Sequence, residues 1–279
     1  MTWENESLPK WTTDIFVNGP IEIEHDITFR SRKDIEYGDP LYSNIVIRKE
    51  RDRVKLSVNS FAEDAELGKK AAFIFSGLAL DVLSVKTMSP LYVSIYKKNQ
   101  RYNSLANEVK RIITEDEWKF AFKESRLLTL TEPTFLRALG WYRKGLITED
   151  PFDKFLAFWN SIEVVAGKYH TRTNRTQNGI KNQIWQCFQD LWGDIENWKL
   201  IGGNQNWIDD NYQTRKDVAH GIISIDIDTI EAIVNKLQII EKLAHIFLIE
   251  WRIQKLSPEN NITPEIQEKL DEREWIRMQ

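Results

Sequence analysis

The chain has 279 residues, 42% hydrophobic and 29% charged, with a formal net charge of −4, so length favours about two domains and no global basic field gathers nucleic acid; a phosphate-binding surface must be local. Cys187 is the only cysteine, which excludes an internal disulfide and a multi-cysteine zinc site and fits a reducing compartment. Met1 to Glu6 has neither a basic nor an apolar leader pattern, and the longest apolar run, Ala71 to Leu80, is too short for a bilayer and stops at Asp81; the reading is cytosolic, with no membrane partner.

From Ile15 to about Ile95, apolar residues alternate at period two. Ile21/Ile23, Ile45/Ile47, Val54/Leu56/Val58 and Leu91/Val93/Ile95 each read as a half-buried strand. The polar run Arg48 to Arg53 suits a solvated hairpin connection. At Phe61 the period changes. Leu67, Ala71, Ile74, Leu78 and Val82 recur at helical spacing and predict a long helix with one buried stripe. A shorter helix is expected around Leu105, Val109 and Ile112, then the aromatic stretch Trp118, Phe120, Phe122 and a strand from Leu127 to Leu130. This part, residues 1–130, reads as α+β, without a catalytic constellation. His25, among Glu22, Glu24 and Asp26, reads as surface.

Near Thr131-Glu132-Pro133 the pattern becomes all-helical, and residues 131–256 read as a bundle. The first bundle helix spans about Thr134 to Lys144, with Phe135, Leu139 and Tyr142 inward. The second starts at an Asp150 cap with Pro151 in its first turn. Its stripe, Phe152, Phe155, Trp159, Ile162, Ala166 and Tyr169, steps by threes and fours, as a buried bundle helix does. The loop from Lys168 to Gly179 is polar and basic, without acids. The third helix uses Ile180, Ile184, Cys187, Phe188 and Leu191. The fourth runs from about Gln205 to His220, after Gly202-Gly203. The fifth is expected to open at Asp228, with Glu231 completing a capping box, and to bury Ile230, Val234, Leu237, Leu243 or Ala244, Phe247 and Trp251. Residues 257–279 read as a tail with a short helix from Thr263-Pro264.

Chemistry concentrates in Thr214-Arg215-Lys216-Asp217-Val218-Ala219-His220-Gly221. On the fourth helix Ile208, Tyr212, Arg215 and Ala219 share a stripe, so the Arg215 guanidinium points toward the core and requires a carboxylate or phosphate. Glu163, beside an apolar face of the second helix, is the matching carboxylate. Two readings stand: a buried structural pair that fixes register, or Glu163 orienting an Arg215 that still reaches a ligand phosphate. His220 lies at the carbonyl end of its helix, where imidazolium is favoured. Five residues on a helix mean a rise of about 7.5 Å and a rotation of about 140°. Arg215 and His220 therefore converge only if the helix end at Gly221 deforms or a second copy supplies the partner. A proton-exchanging imidazole beside a fixed cation suits RNA phosphodiester cleavage without a metal or cofactor.

The Arg215-x4-His220-Gly221 motif on the penultimate helix, with Phe155 to Glu163 two helices earlier, resembles the HEPN superfamily over about Thr131 to Ile253. The resemblance implies a metal-independent endoribonuclease that leaves 2′,3′-cyclic phosphate ends, acts as a homodimer and serves as a toxin or antiviral effector. It assigns catalysis to Arg215 and His220, with Glu163 as supporting acid. The family often has asparagine or aspartate directly after the arginine. Lys216 stands there in this chain, so either Asp217 takes that role or catalysis is weakened. The basic residues Lys168, Arg172, Arg175 and Lys181 are candidates for RNA backbone contacts, against a plain solvated loop, and Tyr169 and His170 for stacking on a splayed base. Trp207 is the tryptophan expected to be exposed. The other readings are a non-catalytic nucleotide- or protein-binding module, in which Arg215 is structural, and a nucleotidyl-transfer partner or antitoxin target, its activity masked until the antitoxin or regulatory partner is removed. In the endoribonuclease reading the α+β part recognises trigger, substrate or partner.

Overall fold

The computed structural model of the chain describes residues 8–30, 41–50, 53–94 and 109–256, with the backbone alone at 41–43. Ile95, Leu105, Met1 to Glu6 and the expected tail helix at Thr263-Pro264 lie outside these residues. The chain divides into two compact units between Thr131 and Glu132.

The first unit is α+β. Its strands are β1 (Lys10–Asn18), β2 (Ile21–Glu22), β3 (Ile27–Arg30), β4 (Leu41–Glu50), β5 (Arg53–Phe61), β6 (Tyr92–Ser94) and β7 (Arg111–Ile112). Five form an antiparallel sheet in the order β3-β4-β5-β1-β6, and β2 pairs with β7 in parallel. Ile45 and Ile47 of β4 and Val54, Leu56 and Val58 of β5 are fully buried, as their alternation predicts. The polar run is mostly strand: Glu50 pairs with Arg53 across the β4 to β5 connection.

Helix α1 (Ala65–Thr87) packs against β1, β4 and β5. Asp64 caps it, accepting from the Leu67 N–H at 2.8 Å. Its buried face differs from the expected stripe. Gly68, Ala71, Ala72, Ser76 and Ala79 turn inward, while Ile74 is 56% exposed. Close approach to the sheet selects small residues: a Cβ on Gly68 would sit 3.0 Å from the Trp11 Cβ. Of the helix expected around Leu105, Val109 and Ile112, the described residues are not helical: Ile112 belongs to β7 and Val109 is exposed outside any element. The expected strand Leu127 to Leu130 is instead the end of α2 (Glu115–Thr131), whose buried residues Trp118, Ala121, Phe122, Ser125 and Leu128 keep helical spacing.

The second unit is a helical bundle of α3 (Pro133–Ile147), α4 (Pro151–Tyr169), α5 (Ile180–Trp192), α6 (Trp207–Ala219) and α7 (Ile227–Gln254). Helix α4 packs against the other four. Asp150 caps it, accepting from the N–H groups of Phe152 and Asp153 at 2.9 Å each, with Pro151 at the first turn. Phe155, Trp159, Ile162 and Ala166 are fully buried, and so are Phe158 and Val165, which widen the predicted stripe into a central helix. Where α3 crosses it, Gly145 lets the Phe158 ring in: an added Cβ would lie 2.6 Å from that ring. Among the described residues, no helix is long and apolar enough to cross a membrane.

Helix α7 starts two residues earlier than expected. Asp226, not Asp228, is its cap, accepting from the Thr229 N–H at 2.8 Å and from the Ser224 hydroxyl at 2.6 Å. Its interior face is Ile233, Ile240, Leu243, Ala244, Phe247 and Trp251, whereas Val234 is 43% exposed.

Candidate functional site

Helices α4 and α6 build the site. Trp159, buried in the α4 stripe, donates its indole N–H to Glu163 Oε2 at 2.8 Å, one turn along the same helix. The other carboxylate oxygen accepts from Arg215 Nη2 of α6 at 3.2 Å. The Trp207 ring, first residue of α6, packs at 6.1 Å from Trp159 and 6.2 Å from Phe188. Trp207 is therefore core, at 6% exposure, and not the exposed tryptophan expected. A first-turn residue has no preceding turn to set its face, and here two aromatic neighbours set it.

The ion pair is half-buried, with 28% of the Arg215 side chain and 21% of the Glu163 side chain exposed. Arg215 Nε is buried and has no hydrogen-bond partner. The guanidinium thus meets Glu163 through one bond and not as a two-pronged fork, which leaves part of its donor set uncommitted.

His220 is exposed at the end of α6. There the Ile222 N–H bonds the Asp217 carbonyl at 2.9 Å and the Gly221 N–H bonds the Val218 carbonyl at 3.1 Å. Gly221, at φ 65°, takes the left-handed conformation that this helix ending requires. The ending turns the chain sharply yet leaves His220 at the solvent side of its helix end, while Arg215 faces α4. One copy therefore brings Arg215 to Glu163 and does not bring His220 to them. Asp217 accepts from the Gln213 side chain at 2.7 Å, and no bond links it to His220. Lys216 is half-buried.

The basic loop is tied down. Thr173 and Thr176 bond each other's backbone, Gln183 reaches the Thr176 carbonyl at 3.3 Å, and the Thr171 hydroxyl donates to Asp190 at 2.8 Å. Tyr169 donates its hydroxyl to Glu132 at 2.7 Å and packs its ring 6.4 Å from Trp251. Burial, helped by the Glu132 carboxylate, pushes its phenol above the usual range. The His170 ring nitrogen lies 2.7 Å from the Ala166 carbonyl. Both rings proposed as base stackers are thus engaged internally. Lys168 and Arg172 are exposed. Lys181 pairs with Asp209 of α6, which offsets its charge, and its ammonium lies 5.8 Å from the Tyr212 ring centre. Arg175 is exposed and lies over the Trp185 ring.

Two residues near this helix carry roles that the sequence pattern does not show. The stripe places Trp159 in the core, and its N–H also holds Glu163. Lys236 of α7 is half-buried; burial lowers its pKa, opposed by Asp210 of α6. Only the spacing of two helices in space brings Lys236 and Asp210 near one another, so no local pattern could find them. Among the described residues, no group of three histidines, cysteines or carboxylates is placed to hold a metal ion.

A family model described as methylamine utilization protein MauJ matches residues 138–249, less than half of the chain. That range contains Glu163, Arg215 and His220. No curated protein and no solved structure matches.

Proposed function

We propose that the chain is a metal-independent endoribonuclease of HEPN type that works as a homodimer. The observation that carries this reading is Arg215: fixed by Glu163 through a single bond, it keeps 28% of its side chain exposed, with His220 open to solvent one helix end away. In the reaction an imidazole removes the proton of a ribose 2′-OH, and that oxygen attacks the adjacent phosphorus. The 5′-oxygen of the next nucleotide leaves and takes up a proton from the second copy's imidazole. The products are a 2′,3′-cyclic phosphate and a 5′-hydroxyl, and Arg215 offsets the charge that builds on the phosphorane oxygens. A second copy is required because one helix holds its arginine and histidine about 140° apart.

The test is cleavage of single-stranded RNA in EDTA by the wild type and by His220→Ala and Arg215→Ala at matched folding. Loss of a general acid or base lowers the rate by about 10² or more. Unchanged cleavage in both variants removes the assignment.

A second reading, a non-catalytic module binding nucleotide or protein, is favoured by one observation: Glu163 has both oxygens engaged within the bundle. This reading expects Arg215→Ala to destabilise the bundle and His220→Ala to change little.

A further inference from the structure

We infer that Arg175 and Trp185 form a stacking subsite for one unpaired base of single-stranded RNA. This rests on RNA being the substrate, as proposed above. The guanidinium carbon of Arg175 lies 3.6 Å from the centre of the Trp185 ring, so the cation covers one indole face. Its Nε donates to Asn182 Oδ1 at 3.1 Å, which fixes the plane. The support continues inward. Trp185 meets Trp198 edge to face at 5.8 Å, and Trp198 is buried, donates its N–H to the Gly193 carbonyl at 3.1 Å and meets Phe188 at 5.3 Å. An exposed arginine on so deep an aromatic foundation loses little further freedom when a ligand arrives.

Arg175 is exposed and the indole covers one face of its guanidinium, so the opposite face is the one left for a ligand. A flat π-system laid on it gains stacking and cation–π attraction together. A carboxylate of a protein partner would use the guanidinium edge and have no use for the aromatic column beneath. Bases in an A-form duplex are stacked on one another and hidden in a deep, narrow groove, so the ligand is unpaired. Arg172, exposed on the same tied loop, and Lys168, exposed in the last turn of α4, suit the flanking phosphates, while Asp190 is engaged by Thr171 and Gln186. The subsite also connects to the candidate catalytic helix. Asn182 adjoins Lys181, which pairs with Asp209 of α6, and Arg215 follows Asp209 by six residues, a rise of about 9 Å.

The test uses the full chain carrying His220→Ala, labelled with 5-fluorotryptophan, and an octanucleotide of adenylate as probe. The Trp185 fluorine resonance is assigned by its loss in Trp185→Phe. The expected result is a shift of that resonance with the single strand and none with a blunt duplex of the same length. Arg175→Ala and Arg175→Lys should each weaken binding about tenfold, because lysine keeps the charge and loses the plane. Equal affinity of Arg175→Lys and the parent at one salt concentration, an unmoved Trp185 resonance at saturation, or no binding of the single strand overturns the subsite. A chain that never cleaves RNA yet shows the shift and the Arg175 dependence keeps the subsite and loses the nuclease. A chain that cleaves with unaltered binding in both Arg175 variants does the reverse.

Discussion

Glu163 holds two donors of different kinds, an indole N–H from its own helix and a guanidinium from the next, and the two can be removed separately. Replacing Trp159 with phenylalanine keeps most of the buried ring and deletes one hydrogen bond to a carboxylate, which costs about 1.5–3 kcal/mol. Arg215→Gln removes a half-exposed charge partner, so solvent screening limits the loss to about 1 kcal/mol. Urea unfolding of the two single variants and the double variant gives their coupling, expected near 0.5–1 kcal/mol because they share one carboxylate. A coupling of zero would mean that Glu163 moves freely between the two donors. The pairing of Arg215 with Glu163 was readable from stripe positions, because a charge on a core-facing stripe demands a partner. The role of Trp159 was not, since periodicity reports where a ring goes and says nothing of its N–H. The internal partners of Tyr169 and His170, Glu132 and the Ala166 carbonyl, were hidden for a related reason: they depend on where α4 ends relative to α3 and its own last turn.

At the scale of elements, caps decide where helices begin. Asp150 satisfies two N–H groups of α4, so Asp150→Ala should cost about 1 kcal/mol in denaturant unfolding and Asp150→Asn much less. For α7, two aspartates stand two residues apart, and either suits a capping pattern. Asp226 prevails because Ser224 and Thr229 both bond its side chain, and these bonds, Ser224 first, lower its pKa below the usual aspartate value. A carboxyl whose folded pKa is depressed contributes stability that is complete above its unfolded pKa, about 3.9, and is lost as pH falls through the folded value. Amide-exchange protection at Thr229 and Ile230 should therefore fall on acidification below about pH 4 in the wild type, and Asp226→Asn should remove that dependence. Protection independent of pH in the wild type would shift the capping role away from Asp226. The strand expected at Leu127 to Leu130 failed at this scale too. The four residues Leu127-Leu128-Thr129-Leu130 are too few to fix a period, and the Trp118 to Leu128 spacing of the longer window identifies the helix.

For the whole molecule, the formal charge of −4 gives no clue to a partner, and the surface does. Directly after His220 the chain exposes Ile222 at 73%, Ile225 at 82% and Ile227 at 76%. Val234 is half-exposed seven residues after Ile227, hence on the same face of α7. Sequence periodicity counted Val234 as core because an apolar residue at helical spacing looks the same whether its own bundle or another chain covers it. Exposed apolar residues following a candidate pair of groups that one copy does not bring together are what a self-complementary interface requires. The expected outcome is a dimer in sedimentation equilibrium of the full chain, with Ile225→Glu and Ile227→Glu together giving a monomer of unchanged helix content. Dimer and RNA cleavage should be lost together in that variant, since each imidazole then lacks the second copy's groups. A wild type that stays monomeric at all concentrations, or a variant that cleaves as a monomer, would leave Arg215 and His220 to act within one chain, which their separation on α6 opposes.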